Sequence, residues 1–255
     1  MISPLAYVDP GAKLGNNVTV MPFAFIDKNV EIGDDCVIMS YASVLGGTRM
    51  GKKNVVHQHA VVGADPQDFF YTGEESELII GDENKIRENV VISRATHCGN
   101  ATRIGNKNFF MDKVHICHDV TIHDESVLGI GVSVAGECEI DSNVIVSSHV
   151  VLHQYVHVGR FTLIQSGCRL QKDVPPYCIM SGNPSAYHGV NSLILSHFKV
   201  SERILRHIAN AYHLVFQGKF SLEDAMQKIQ DQVPMSDEIQ NIIDFIKNSK
   251  NGIAR

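Results

Sequence analysis

Apolar residues recur at every sixth position along most of this chain. The series runs from Ile2 to Val62, resumes at Ile80 and at Ile104, and ends at Leu170. Of the 29 positions in this register, 26 are apolar, and the exceptions are Asp68, Glu74 and Cys98. A period of six fits neither an α-helix nor an alternating strand. It predicts a solenoid of three flat faces per turn, each face made by one hexapeptide.

A second period of eighteen residues supports this interpretation. Residues eighteen apart should stack at one strand spacing, about 4.8 Å. Glycine follows the apolar position on several turns, and we expect it to provide the left-handed backbone conformation of a tight corner. Those glycines are Gly15, Gly33, Gly51, Gly105 and Gly159. Small residues two positions before the apolar one, such as Ala24, Cys36, Ala42 and Cys138, should fill the narrow interior.

The chain divides into two predicted domains. The repeat predicts a mainly β fold, a parallel β-helix, over residues 1–189, with outward loops near 63–79 and 93–103. We expect the stacked strands to end near Pro175-Pro176, because proline cannot continue a ladder. Residues 190–255 should form a C-terminal α-helical domain, since Ser201, Ser221 and Ser236 each precede an amphipathic stretch and are good helix caps.

Composition and charge exclude several functions. The chain has 255 residues, with 22 Lys and Arg against 28 Asp and Glu, 7% aromatic residues and no Trp. This balance argues against nucleic-acid binding. No stretch is apolar enough for a membrane span, and the first residues do not resemble a signal peptide. We therefore expect a cytoplasmic protein. None of the six cysteines forms a C-x-x-C pair, which argues against zinc ribbons and redox motifs, and in the cytosol they would stay reduced.

The candidate chemistry lies in a histidine-rich part of the repeat. His118 is followed by Asp119, should face outward at a corner, and has Gly136 eighteen residues further on and Gln154 thirty-six residues further on. A histidine beside a carboxylate and under an open glycine N–H is the layout of a general base and an oxyanion donor. We expect the other outward histidines, His123 and His157, to face solvent.

A metal site is the competing interpretation. His115, His118 and His153 offer three imidazoles, and zinc accepts such a set. Asp119 and Gly136 would then have no role, so we expect neither a metal nor a cofactor.

Several segments in the loops, in the coil and after it carry a family resemblance. They are 67–68, 71–74, 80–88, 115–119, 153–154, 173–177 and 189–191. With these segments the chain resembles the left-handed β-helix hexapeptide acyltransferases, and more narrowly the UDP-N-acetylglucosamine acyltransferases that open lipid A synthesis. The similarity extends over essentially the whole length.

The resemblance implies transfer of an (R)-3-hydroxyacyl chain from acyl carrier protein to the glucosamine 3-hydroxyl of UDP-N-acetylglucosamine. It implies that His118 is the base, that Asp119 orients it, and that the Gly136 N–H holds the oxyanion. It also implies a homotrimer with sites between subunits. Ser166 would bound the acyl channel, and the substrate contacts would be Gln67, Asp68, His115, His153, Gln154 and Asn191.

Five positions depart from the pattern of this family. Phe70 replaces a lysine, Glu137 replaces a histidine beside the oxyanion glycine, and His197-Phe198 replaces a basic pair. These changes leave open how the diphosphate is held, and Ser166 in place of glycine leaves the acyl length open. Two alternative functions remain, a coenzyme A-dependent sugar acetyltransferase and a metal-dependent γ-type carbonic anhydrase.

Overall fold

The computed structural model describes residues 1–254, and most of the chain forms a left-handed parallel β-helix. Each turn contributes one short strand to each of three sheets, which we call the first, second and third faces. The first face contains β1 (Tyr7–Val8), β4 (Phe25–Ile26), β7 (Ser43–Val44), β10 (Val61–Ala64), β13 (Val91–Ser93), β16 (His115–Ile116), β19 (Ser133–Val134), β22 (Val151–Leu152) and β25 (Arg169–Leu170).

The second face contains β2 (Lys13–Leu14), β5 (Glu31–Ile32), β8 (Thr48–Met50), β11 (Glu77–Ile80), β14 (Ala101–Ile104), β17 (Thr121–Ile122), β20 (Glu139–Ile140) and β23 (His157–Val158). The third face contains β3 (Thr19–Val20), β6 (Val37–Ile38), β9 (Val55–Val56), β12 (Lys85–Ile86), β15 (Phe109–Phe110), β18 (Val127–Leu128), β21 (Ile145–Val146), β24 (Leu163–Ile164), β26 (Cys178–Ser181) and β27 (Ala186–Val190). All pairs are parallel except β26 with β27.

The two predicted periods are confirmed by the strand register. His115 pairs with Ser133 and Ile116 with Val134, so residues eighteen apart do stack. From Val20 to Leu170, the apolar positions of the register line a buried interior, and Cys36, Ala42 and Cys138 fill the space beside them. Loops 65–76 and 94–100 leave the coil between paired strands, and the six-residue register continues after both, with a local irregularity in the pairing after Val62.

The expected role of the corner glycines is wrong. Gly15, Gly33 and Gly51 do not have positive φ, whereas the left-handed residues lie two positions later, at Asn17, Asp35 and Lys53. Glycine is needed for a different reason, the close approach of successive coils. A Cβ on Gly33 would lie 2.7 Å from the backbone of Gly51, well inside contact distance.

The stacked strands also extend beyond the expected end at the two prolines. Strand β26 continues the third face after Pro175-Pro176, and β27 turns back along it. The prolines lie between strands, where the missing N–H breaks no ladder bond.

Four α-helices follow, and the capping serines begin three of them as predicted. They are α1 (Ser192–His197), α2 (Glu202–Tyr212), α3 (Leu222–Gln232) and α4 (Asp237–Asn248), with a π-helical segment at His213–Gln217. Ser201, Ser221 and Ser236 each accept a hydrogen bond from the backbone N–H three residues on. No helix among residues 1–254 combines the length and the hydropathy that crossing a membrane requires.

The helices pack against the last turns of the coil. Asp173 is buried and accepts a hydrogen bond of 2.6 Å from Ser249 at the end of α4. Phe245 of α4 covers the imidazole of His157, with ring centroids 4.6 Å apart. His157 is therefore half-buried under a helix, contrary to the expectation that it faces solvent.

Candidate active site

His118 lies at the corner between the first and second faces, next to a cavity of about 1080 Å³. Strand β16 ends at Ile116, and the chain turns through Asp119, whose φ is 58°. This left-handed turn brings the Asp119 carboxylate back to its neighbour, so that His118 Nδ1 lies 3.0 Å from Asp119 Oδ2. The His118 side chain is 8% exposed, and the cavity is its route to solvent.

Asp119 is itself held in place by the second loop. Its Oδ2 accepts a hydrogen bond from the Thr96 backbone N–H at 3.0 Å, and its own N–H donates to Thr102 Oγ1 at 2.9 Å. Burial alone would raise the pKa of the Asp119 carboxyl. Hydrogen bonds from Thr96 and His118 outweigh that effect and bring the pKa below its usual value. Asp119 is therefore ionised at neutral pH and fixes the proton of His118 on Nδ1.

The other imidazole nitrogen faces the first loop. His118 Nε2 lies 3.2 Å from Asp68 Oδ2, so the imidazole is placed between two carboxylates. Gln67 and Asp68 both line the cavity. The neighbouring Phe69 and Phe70 also line it and are largely exposed.

Gly136 stacks directly over His118, as the eighteen-residue arithmetic predicts. A Cβ on Gly136 would lie 2.5 Å from His118 Cε1 and 2.6 Å from Nε2, so only glycine leaves room for the ring. Within residues 1–254, no acceptor is bonded to the Gly136 N–H. Gln154 lies one coil further and also lines the cavity.

Glu137 and Tyr155 complete this edge of the cavity. Both have positive φ, at 58° and 68°, and both belong to the column of corner residues above Asp119. The charge of Glu137 and a hydrogen bond to it raise the pKa of the Tyr155 phenol. Glu137 therefore contributes a hydrogen-bond acceptor beside the oxyanion position, where the resemblance implies an imidazole.

The remaining predicted residues do not meet His118 within one chain. His115 lies on the first face, half-buried, and burial lowers its pKa. His153 is exposed outside the cavity, and Ser166 is exposed at the corner between the third and first faces. Asn191 is buried beside the third face, where its Nδ2 donates to the Phe161 carbonyl at 3.0 Å.

The structure does not gather the three imidazoles considered for a metal. Among residues 1–254, the ligand atoms that cluster belong to His123, Glu139 and Asp141 on the second face. Within this group His123 Nε2 lies 3.2 Å from Glu139, whereas Asp141 pairs with His157 Nε2 at 3.0 Å, outside the group.

Sequence reasoning missed two kinds of cavity residue. Thr96, His97 and Asn100 come from the second loop, whose path no periodicity describes. Arg103 and Glu139 are outward residues of the second face. The eighteen-residue period that places Gly136 over His118 could have found both residues. Thr121 follows His118 by three residues, and it stacks between Arg103 on the coil below and Glu139 on the coil above.

The C-terminal part matches a family model described as UDP-N-acetylglucosamine O-acyltransferase, domain 2, over residues 173–254. A bacterial transferase hexapeptide model of six repeats matches residues 29–64. Two curated acyl-(acyl-carrier-protein)–UDP-N-acetylglucosamine O-acyltransferases align over all of this chain and 99% of their own length. The protein from Myxococcus xanthus is 38% identical and that from Halorhodospira halophila is 40% identical.

A solved structure shows the same fold over its full length. The crystal structure of a UDP-N-acetylglucosamine acyltransferase from Bacteroides fragilis superposes with a TM-score of 0.99 and is 46% identical, with 100% of both chains covered.

Proposed function

The chain belongs to the acyl-(acyl-carrier-protein)–UDP-N-acetylglucosamine O-acyltransferase family, and we propose that it performs the reaction of that family, the first step of lipid A biosynthesis. An (R)-3-hydroxyacyl chain passes from acyl carrier protein to the glucosamine 3-hydroxyl. The observation that carries the proposal is the His118 imidazole, which Asp119 orients under the open Gly136 N–H.

The base works through His118 Nε2. Because the Asp119 carboxylate accepts the Nδ1 proton, Nε2 presents its lone pair to the cavity. In the structure Asp68 Oδ2 lies 3.2 Å from Nε2, a contact that is favourable only with a proton between the two atoms, so it must break before Nε2 can act as the base. The sugar hydroxyl takes the place of Asp68 at Nε2, and Asp68 then accepts a hydrogen bond from a neighbouring hydroxyl of the same sugar.

Acyl transfer then proceeds by addition and elimination. The 3-hydroxyl gives its proton to Nε2 while its oxygen bonds to the thioester carbonyl carbon. The resulting oxyanion accepts a hydrogen bond from the Gly136 N–H, which has no other acceptor within residues 1–254. When the carbon–sulfur bond breaks, the carrier thiolate takes the proton from Nε2, and His118 is again neutral.

A homotrimer would complete the site. Most outward residues of the third face are apolar, with exceptions at Thr19 and Lys85 among its parallel strands, whereas those of the second face are mainly charged or polar. The apolar set includes Val37, Val55, Phe109, Val127, Ile145, Leu163 and Ile179. The first face is mixed and includes Val61, Val91 and Val151. A cyclic trimer buries two different faces of each subunit, and the first and third faces are suited to this.

This packing explains why some predicted substrate contacts lie away from the cavity. His118 lies at the outer edge of the first face, so a third face docked on it brings its own neighbouring residues towards His118. Asn191 follows β27, which extends the third face. We infer that Asn191 and Ser166 of one subunit serve the site of the next, and that His115 and His153 line the shared cleft.

The proposal includes a cytoplasmic location. All six cysteines are unpaired, two of them exposed or half-exposed, which suits a reducing compartment. Fractionation of cells that express the protein, followed by detection with an antibody, tests this part.

The decisive experiment is incubation with UDP-N-acetylglucosamine and a panel of acyl donors, read by mass spectrometry. We expect mass gain from 3-hydroxyacyl carrier proteins, and a His118→Ala variant should lower kcat by at least ~10²-fold, the usual cost of losing a positioned base. His123→Ala, an exposed histidine on the second face, is the matched control and should retain activity.

Three outcomes would contradict the proposal. Acetyl transfer from coenzyme A in preference to the carrier would indicate the sugar acetyltransferase. Hydration of carbon dioxide would indicate the anhydrase. Normal turnover by His118→Ala would show that the base is another residue.

A further inference from the structure

The cavity beside His118 has an uneven charge distribution. Four carboxylates line it, those of Asp68, Asp119, Glu137 and Glu139. Arg103 is the single lysine or arginine among the described residues that line it. An anionic ligand entering this cavity would be repelled on most sides. Any anion that binds here therefore depends on the position of Arg103.

Arg103 has a fixed place relative to the base. It is an outward residue of β14 on the second face and pairs in register with Thr121. Thr121 belongs to the same coil as His118 and also lines the cavity. Arg103 therefore lies one coil below His118, about 4.8 Å along the axis, and on the other side of the corner.

The guanidinium of Arg103 is also unengaged. Within the described residues, no carboxylate oxygen lies within 4.0 Å of it. Arg49, two coils lower in the same column, shows the opposite behaviour. Its guanidinium lies 3.8 Å from Glu31 and 3.7 Å from Glu77, and it donates to the Asn29 side chain at 2.8 Å. Arg103 can therefore offer its whole donor fork to a ligand, a geometry that matches phosphate oxygens.

We propose that Arg103 binds the diphosphate of the sugar nucleotide, an inference that rests on the proposed function. The sugar 3-hydroxyl must reach His118 Nε2, and the diphosphate is attached to C1 of the same ring. The phosphates consequently lie one sugar ring away from the base, and Arg103, one coil away, is the cation within reach. Its charge offsets the repulsion from the four carboxylates and orients the sugar for attack.

The test compares an Arg103→Gln variant with the wild-type enzyme in steady-state assays. We expect the KM for UDP-N-acetylglucosamine to rise by at least ~10-fold, which is about 1.4 kcal/mol. The KM for the acyl carrier protein should stay within about two-fold. The substitution removes binding of the sugar nucleotide only, and the base remains in place. Lys13→Gln, an exposed cation at the other end of the second face, is the matched control and should change neither constant.

Inhibition by UDP and by uridine separates charge recognition from a structural effect. Wild-type enzyme should bind UDP much more tightly than uridine, and this preference should shrink in Arg103→Gln and partly return in Arg103→Lys. Equal weakening of both inhibitors, or an unchanged KM in an enzyme that turns over the sugar nucleotide, would overturn the role of Arg103 and leave the proposed function intact. If wild-type enzyme neither binds nor acylates UDP-N-acetylglucosamine, both proposals fail.

Discussion

Stacking makes individual residues of the site predictable from the sequence. Once the eighteen-residue period is recognised, Gly136 must lie over His118, and the structure confirms this. The partners that come from loops could not be predicted in the same way. The Thr96 N–H reaches Asp119 and the Asp68 carboxylate reaches His118 only because loops 94–100 and 65–76 fold back over the corner.

The contact between Gly136 and His118 leads to a prediction at the residue scale. In Gly136→Ala the new Cβ would lie 2.5 Å from His118 Cε1, so the imidazole must move away from Asp119 or from the substrate. A misplacement of about 1 Å costs roughly 10²-fold in rate, and we expect kcat to fall by that order. Steady-state assays measure the loss.

The fold should tolerate this substitution, because Gly136 does not require positive φ. The melting temperature of Gly136→Ala should therefore stay within a few degrees of wild type. Gly11→Ala, in the first coil and also without positive φ, controls for the general effect of removing a glycine. A normal kcat in Gly136→Ala would mean that the imidazole is not held where the structure has it.

At the level of elements, regular repeats and capping serines were predictable, whereas irregular pairings were not. The short helix α1 has no side-chain cap that could mark its start in the sequence. Strand β27 is defined by its antiparallel main-chain pairing with β26, which no pattern of apolar residues predicts. His157 shows the same limit. Its outward position follows from the register, but the helix that covers it comes from 88 residues further along, at Phe245.

The contact between α4 and the coil leads to a pH-dependent prediction. Burial lowers the pKa of His157, but the hydrogen bond and charge of Asp141, with Glu139 and Asp173 nearby, raise it above its ordinary value overall. A raised pKa in the folded state means that the pair stabilises the fold fully below about pH 6.5, the unfolded value. This stabilisation is lost as the pH rises through the folded pKa.

Asp141→Asn should remove most of this pH dependence. We expect a urea midpoint lower than wild type at pH 5.5, equivalent to about 1 kcal/mol for a hydrogen bond to a charged group. The difference should close by pH 9, where the wild-type imidazole is neutral. A gap of constant size at both pH values would show that Asp141 acts through the Arg160 N–H that it also binds, rather than through His157.

At the scale of the whole molecule, the distribution of outward residues is the feature that one chain leaves unexplained. Most coils present an apolar side chain on the third face, while the second face presents charges such as Lys13, Glu31 and Arg49. This difference between the second and third faces can be read from the sequence, because each outward residue is the one directly before an inward apolar residue. The domain division at residue 189 and the trimer itself stay predictions.

The trimer prediction follows from that apolar face and is tested by mass and activity together. Light scattering should give about three times 28.2 kDa for wild-type protein. Val127 and Ile145 are neighbours on the third face, in β18 and β21, and their replacement by aspartate would bury two charges per interface without a partner. We expect Val127→Asp/Ile145→Asp to have a lower mass at micromolar concentration and to lose acyltransferase activity in parallel. The far-ultraviolet spectrum should remain that of the β-helix, because both side chains point away from its interior.

Lys13→Asp/Glu31→Lys, on the charged second face, should remain trimeric and active. A fully active monomer would refute the shared site and return Asn191 and Ser166 to structural roles.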